Sequence, residues 1–201
     1  MDNKTYHHGD LRNELIEIGA KLLIEQGLEN FSLRKVAKEI GVSHAAPYRH
    51  FKNKEDLILE IAKKGIKEFY DALAKPFQEF IDQPKLQLIE LGKAYINFAV
   101  NNPYLMKILF FSDLKKNIDI TKITNINKDG YSMLKKSVKN CITTGETKIN
   151  DVQKLSLLSW SFVHGLSALM MENVVYFGSA SDEMIDQLVR LYINGYFKSR
   201  G

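Results

Sequence analysis

The chain has 201 residues, of which 45% are hydrophobic and 26% charged, and its 28 Lys and Arg against 24 Asp and Glu leave a formal charge of +4. That balance excludes a disordered, collagen-like or low-complexity chain, and a single cysteine, Cys141, excludes an intramolecular disulfide framework. The charge is too mild to name a polyanionic partner by itself.

Apolar residues recur at i, i+3, i+4 and i+7 along most of the chain, and period-two alternation is scarce. An all-α fold of about nine helices is predicted. The first runs from about Asp10 to Gln26, with Leu11, Leu15, Ile18, Leu22 and Leu23 as its apolar stripe and Gly27 as its C-terminal stop. Ser32 is an N-cap for a short second helix whose inward face is Leu33, Val36, Ala37 and Ile40. Gly41 breaks that helix. Ser43 caps a third short helix reaching about Phe51. Asn53 caps a fourth, running to about Leu73, with Glu55 and Asp56 favourably placed in its first turn.

Pro76, Pro84 and Pro103 mark boundaries or kinks in the rest of the chain. Further helices are expected at Lys85–Asn101, Tyr104–Phe111, Ile120–Thr144, Asp151–Phe177 and Asp182–Ser199. The first three helices form a small helix-turn-helix unit and about six others a C-terminal bundle. The expected domains are residues 1–60 and 61–201. The polar N-terminus lacks the apolar core of a signal peptide. The most apolar run, Tyr104 to Phe111, is far shorter than the roughly 18 residues of a membrane span. A cytoplasmic protein with no membrane partner is expected.

The segment from Phe31 to Lys54 has the layout of a helix-turn-helix: a short amphipathic helix, a glycine turn and a second short helix. Arg34, Lys35, Lys38, Arg49, Lys52 and Lys54 stand there against one acid, Glu39. Such a surplus suits a phosphate backbone, although a solvated helical face would look the same by charge alone. Two details favour DNA. The third helix exposes small and hydrogen-bonding residues, Ser43, His44, Ala45, Ala46, Tyr48 and His50, that can enter a major groove and reach bases or phosphates. Lys54 opens the fourth helix, where the helix dipole disfavours a cation unless an anion is held there as well.

The run from Ser32 through Gly41 and Tyr48-Arg-His-Phe51 to Lys54 resembles the DNA-binding module of the TetR family over about the first 60 residues. By that resemblance Tyr48, His50 and Lys54 contact phosphates, and Arg34, His44, Ala45 and Ala46 lie near bases; Ser43 is expected among the DNA-binding residues beside them. The core is Leu33, Val36, Ala37, Ile40, Val42 and Phe51. Pro47 departs from the pattern, standing where most members have a buried Leu or similar residue. It removes a backbone donor and is expected to tilt or shorten the start of the recognition helix. Tyr6-His-His-Gly-Asp-Leu-Arg12 also resembles one subgroup of the family. His7 and His8 have no accompanying ligand cluster, so an arm near DNA is expected there and no metal.

In the larger domain, Trp160-Ser-Phe-Val-His164-Gly165 resembles a motif of the C-terminal domain in a TetR subgroup named for its Trp, His and Gly. Trp160 and His164 share one helix face. His164 either satisfies a buried backbone carbonyl beside the indole, with Gly165 permitting close helix contact, or touches a ligand. Phe98, Tyr104, Phe110, Tyr131, Trp160 and His164 are the candidate pocket residues for a small apolar or aromatic effector. Leu155, Leu158, Phe162, Leu166 and Leu169, with Ile185, Leu188, Val189, Tyr192 and Tyr196, stripe the last two helices as a dimer surface. A homodimer would read a palindromic double-stranded operator. Cys141 reads as a small core residue or, less naturally, a sensor thiol. No G-x-S-x-G, H-E-x-x-H or Gly-rich phosphate loop is present, so neither enzyme activity nor a cofactor is expected.

Overall fold

A computed structural model describes residues 11–111, 121–172 and 182–197. The N-terminal arm with His7 and His8, and the far ends of the helices expected to reach Phe177 and Ser199, lie outside the described residues. The elements are α1 (Leu11–Gln26), α2 (Leu33–Ile40), a 3₁₀ turn (Pro47–Arg49), α3 (Lys54–Glu79), α4 (Pro84–Asn101), α5 (Pro103–Met106) continuing as a π turn (Lys107–Phe111), α6 (Thr121–Thr143), α7 (Val152–Met171) and α8 (Asp182–Tyr196). Extended pairing among the described residues is one isolated bridge, Thr147 with Phe197.

The helix ends reflect capping chemistry. Gly27 and Gly41 adopt φ of 72° and 83°, the left-handed region that L side chains avoid, and so stop α1 and α2. Ser32 accepts the Lys35 N–H at 3.3 Å, and Asn53 accepts the Asp56 N–H at 2.9 Å. Asp56 reaches back to the Lys52 N–H at 3.1 Å. Helix α3 runs past the expected end at Leu73 and through Pro76, continuing to Glu79. The Phe80 N–H still bonds the Pro76 carbonyl at 3.2 Å, so the helix tolerates the missing donor rather than breaking.

The described chain falls into two compact units. The first takes residues 11–65, then 104–111 and 121–123. Its core includes Leu15, Leu23, Val36, Leu57 and Ile58, all at most 2% exposed. Helix α2 packs on α1 and against the 3₁₀ turn. The middle of the chain returns to this unit. The Tyr104 ring lies against Gly27, and a Cβ on Gly65 would overlap the Leu105 side chain.

The second unit takes residues 66–103, 124–172 and 182–197. Here α4 packs against both α7 and α8. Gly92 permits that approach, because a Cβ there would stand 3.2 Å from Val189 and 3.5 Å from Val163. The core joins Leu88, Ile89 and Ile96 with Val138, Cys141, Leu155, Ile185, Val189 and Ile193. Burial, with Glu146 nearby, pushes the Cys141 thiol up to about 12, which makes it an inert core group. Lys93, Glu90, Asp186 and Arg190 form a charge-alternating network between α4 and α8, with N–O distances of 3.0, 2.9 and 2.6 Å along three of its sides. No helix among the described residues is long and apolar enough to cross a membrane.

Candidate nucleic-acid interface and inner aromatic site

The expected third helix is a chain of tight turns. Pro47 has no N–H to give the Ser43 carbonyl, and the Ala46 N–H takes that acceptor instead at 2.9 Å. The next bonds are also short-range: Arg49 N–H to Ala46 at 3.2 Å and His50 N–H to Pro47 at 2.9 Å. Only at Phe51, whose N–H also reaches the Pro47 carbonyl at 2.9 Å, does helical spacing return. The element from Ser43 to Phe51 is therefore shortened to the single 3₁₀ turn Pro47–Arg49.

The turn is pinned from within. Pro47 is buried in the place expected of a larger apolar residue, and Phe51 is 3% exposed. Between these anchors Tyr48, Arg49 and His50 are exposed, Tyr48 by 51%. Ser43, His44 and Ala45 are exposed and Ala46 is half-buried. Arg34 is exposed on α2, and Lys54 is half-buried at the first position of α3. All eight expected DNA-facing residues thus lie on α2, the turn and its lead-in, or the start of α3. Lys35 is tied back, donating to the Asn30 carbonyl at 2.7 Å and to Gln26 at 3.3 Å. Arg34, Lys38, Arg49 and Lys52 are exposed. Of the expected core residues, Leu33, Val36, Ala37 and Phe51 are buried, while Ile40 and Val42 are half-buried.

In the second unit, α4, α6 and α7 bring four of the six expected pocket residues into one aromatic series. Phe98 packs on Phe69 at 5.1 Å between centroids, and Phe69 meets Tyr95 edge-on at 5.3 Å. Trp160 lies 5.4 Å from Tyr131 and 6.1 Å from His164. Tyr104 and Phe110 belong to the other unit. Sequence reading also missed Tyr95 as the hub. Its hydroxyl lies 2.7 Å from His164 Nδ1 and takes a hydrogen bond from Trp160. The indole N–H can only donate, so the Tyr95 oxygen accepts it and its proton is directed to Nδ1. That needs a neutral imidazole, and burial lowers the His164 pKa accordingly. Burial raises the Tyr95 hydroxyl. The partner of Nδ1 is a hydroxyl. Gly165 is exposed, with nothing within 4 Å of where its Cβ would be, so the close-contact glycine is Gly92.

The expected dimer stripes are also revised. Leu155, Ile185 and Val189 are about 1% exposed and belong to the core. The exposed apolar residues of these helices are Leu157, Leu158 and Leu169 on α7 and Leu191 on α8, the last at 72%. Gly165 and Gly195 present open backbone beside them.

Comparison with known proteins places this geometry. Residues 15–61 match the model of the bacterial regulatory proteins, tetR family, and residues 88–192 match the tetracyclin repressor-like C-terminal domain. The chain is 32% identical over 127 residues to the HTH-type transcriptional regulator SAR2658 of Staphylococcus aureus strain MRSA252, covering 54% of this chain and 69% of that one. A protein of unknown function from Rhodococcus sp. RHA1 shares the fold with a TM-score of 0.79 at 23% identity, over 98% of this chain and 100% of that one. A TetR/AcrR-family regulator from Thermobifida fusca does so with a TM-score of 0.68 at 20% identity, over 94% and 100%.

Proposed function

Because the chain belongs to the tetR family of bacterial regulatory proteins and is a DNA-binding transcriptional regulator, we propose that it is a cytoplasmic homodimeric repressor released from a palindromic operator by a small apolar or aromatic effector. The observation that carries this reading is the exposure of Tyr48 and His50 between the buried anchors Pro47 and Phe51, with Lys54 opening the next helix. Tyr48, His50 and Lys54 hold phosphates. Arg34, Ser43, His44, Ala45 and Ala46 face the base edges. A Lys54 ammonium and the first N–H groups of α3 together form an anion seat.

One short reading turn gives little affinity, so two copies must act at half-sites about one helical turn apart, roughly 34–36 Å. The exposed leucines of α7 and α8 with their two open glycines supply a self-complementary apolar face for that pairing. The DNA-binding domain, about residues 1–60, is completed by the segment from Tyr104 onward that belongs to the same unit, and effector binding and dimerisation belong to the rest of 61–201. The series Phe98, Tyr131, Trp160 and His164 lines the effector site, with the Trp-His-Gly motif marking the family subgroup. The effector acts by binding one of two conformers better, shifting the pair away from operator spacing. No catalytic group, cofactor or metal takes part.

The test is selection of purified protein on random-sequence duplex DNA at two salt concentrations. An enriched palindrome with a steep salt dependence is the expected result. Weak binding that is uniform across sequences would sink the specific-repressor reading. Leu191→Asp is expected to give a monomer by light scattering; a dimer that survives it would move the pairing face elsewhere.

A further inference from the structure

We infer that Arg12 is a positioning residue for the reading turn, holding Phe51 and α3 in place rather than touching DNA. Arg12 is the second residue of α1, and its side chain is 47% exposed, where a cation would ordinarily be counted toward a phosphate surface. Its guanidinium is instead engaged twice within its own unit. One nitrogen stands 2.5 Å from Glu60 Oε2 on α3, and the guanidinium carbon lies 5.5 Å from the centre of the Phe51 ring. Glu60 is steadied from its other oxygen by Lys63 at 2.6 Å. One helical turn further along α3, Lys64 pairs with Glu17 of α1.

The consequence runs through Phe51. This ring is the C-terminal anchor of the turn, and its N–H closes onto the Pro47 carbonyl. Tyr48 and His50 lie between the two anchors, so the seat of Phe51 fixes where they point. The Arg12 guanidinium lies over that ring while its charge is neutralised by Glu60. A guanidinium, with several N–H groups on one rigid fork, can hold Glu60 and lie over the ring at once, whereas a Lys ammonium is a point charge that serves the two less well.

The inference rests on the DNA-binding reading, and the sign of one substitution separates it from direct contact. Affinity for a selected operator is measured across salt for wild type, Arg12→Gln, Glu60→Gln, the double variant and Arg12→Lys, well below each thermal midpoint. A positioning role predicts that Arg12→Gln and Glu60→Gln each weaken binding, by about 5- to 20-fold when both half-sites are affected. The double variant is then no worse than the weaker single, Arg12→Lys recovers part of the loss, and the salt slope is unchanged. A direct phosphate contact predicts the reverse. Arg12→Gln would then lower the slope by about 1.8, about 0.9 for each half-site, and Glu60→Gln, which removes a negative charge, would tighten binding. Either of those results overturns the inference. Without DNA, the His50 ring resonances in Arg12→Gln are expected to shift from wild type. Unchanged resonances reject the inference even if no operator is found, so its failure is distinguishable from failure of the repressor reading.

Discussion

The reading turn and the inner layer of the second unit treat polar groups in opposite ways. Around Pro47 the chemically active side chains point out, and apolar anchors hold the backbone from beneath. Between α4, α6 and α7 several polar groups point in and pair with one another. Ser137 donates to Gln87 at 2.7 Å, Gln87 donates to the Phe77 carbonyl, and Tyr95 joins Trp160 to His164. The first arrangement leaves its donors hydrated and ready for a partner that arrives from solvent. The second removes them from water, so each depends on its neighbour. Substitutions should therefore act on binding in one place and on folding in the other.

The largest expected effect breaks the inner layer. Gln87 is fully buried, and Gln87→Ala strands the Ser137 hydroxyl and the Phe77 carbonyl and leaves a void. A loss of about 3 kcal/mol in urea unfolding is expected, and a loss under about 1 kcal/mol would show that water replaces the amide cheaply. Next, Lys54→Ala should lower operator affinity about tenfold for each half-site, roughly 1.4 kcal/mol apiece, and reduce the salt slope of the dimer by about 2. Its unfolding curve should be unchanged or slightly improved, since a cation is removed from a helix N-terminus. Equal losses in stability and binding would erase the contrast between the two regions.

A smaller effect is expected at low pH. Hydrogen bonds from Arg190 and then Lys93 hold the Asp186 carboxyl at about 2, below its ordinary 3.8. Its folded pKa is depressed, so its stabilisation is present above about 3.8 and is lost as pH falls through about 2. Asp186→Asn should flatten acid unfolding in that window, and an unchanged acid limb would mean that the network does not couple to folding. The smallest effect sharpens the comparison from the other side. Gly41→Ala meets open space but must adopt a φ of 83°, at a cost of about 1 kcal/mol. Thermal melts should show a modest shift.

The capping residues made α1, α2 and the start of α3 legible in the sequence, because Gly27, Ser32, Gly41 and Asn53 each act through their own local backbone. The third helix was over-read for a related reason. The side-chain pattern from Ser43 to Phe51 suits a helix, while the decisive fact is a donor that Pro47 lacks. Tyr95 was legible as an aromatic but not as the hub, since its partner His164 lies 69 residues away. The dimer stripe was legible only in part, Leu158 and Leu169 being exposed and Leu155, Ile185 and Val189 buried, because α7 and α8 are apolar on more than one face. Spacing alone does not say that Leu155, Ile185 and Val189 turn inward while Leu157 and Leu191 turn outward.

The return of Tyr104 and Leu105 to the first unit has a consequence for cutting and grafting this protein. A piece ending at Gly65 would carry the whole reading surface yet lack the residues that lie against Gly27 and Gly65. Both seats would be bared to solvent as an apolar scar. The DNA-reading module is therefore not a prefix of the chain. A transplantable version needs a second strip of sequence from beyond Pro103, and a chimera joined at residue 60 or 65 inherits whatever segment its new C-terminal half lays across those two glycines.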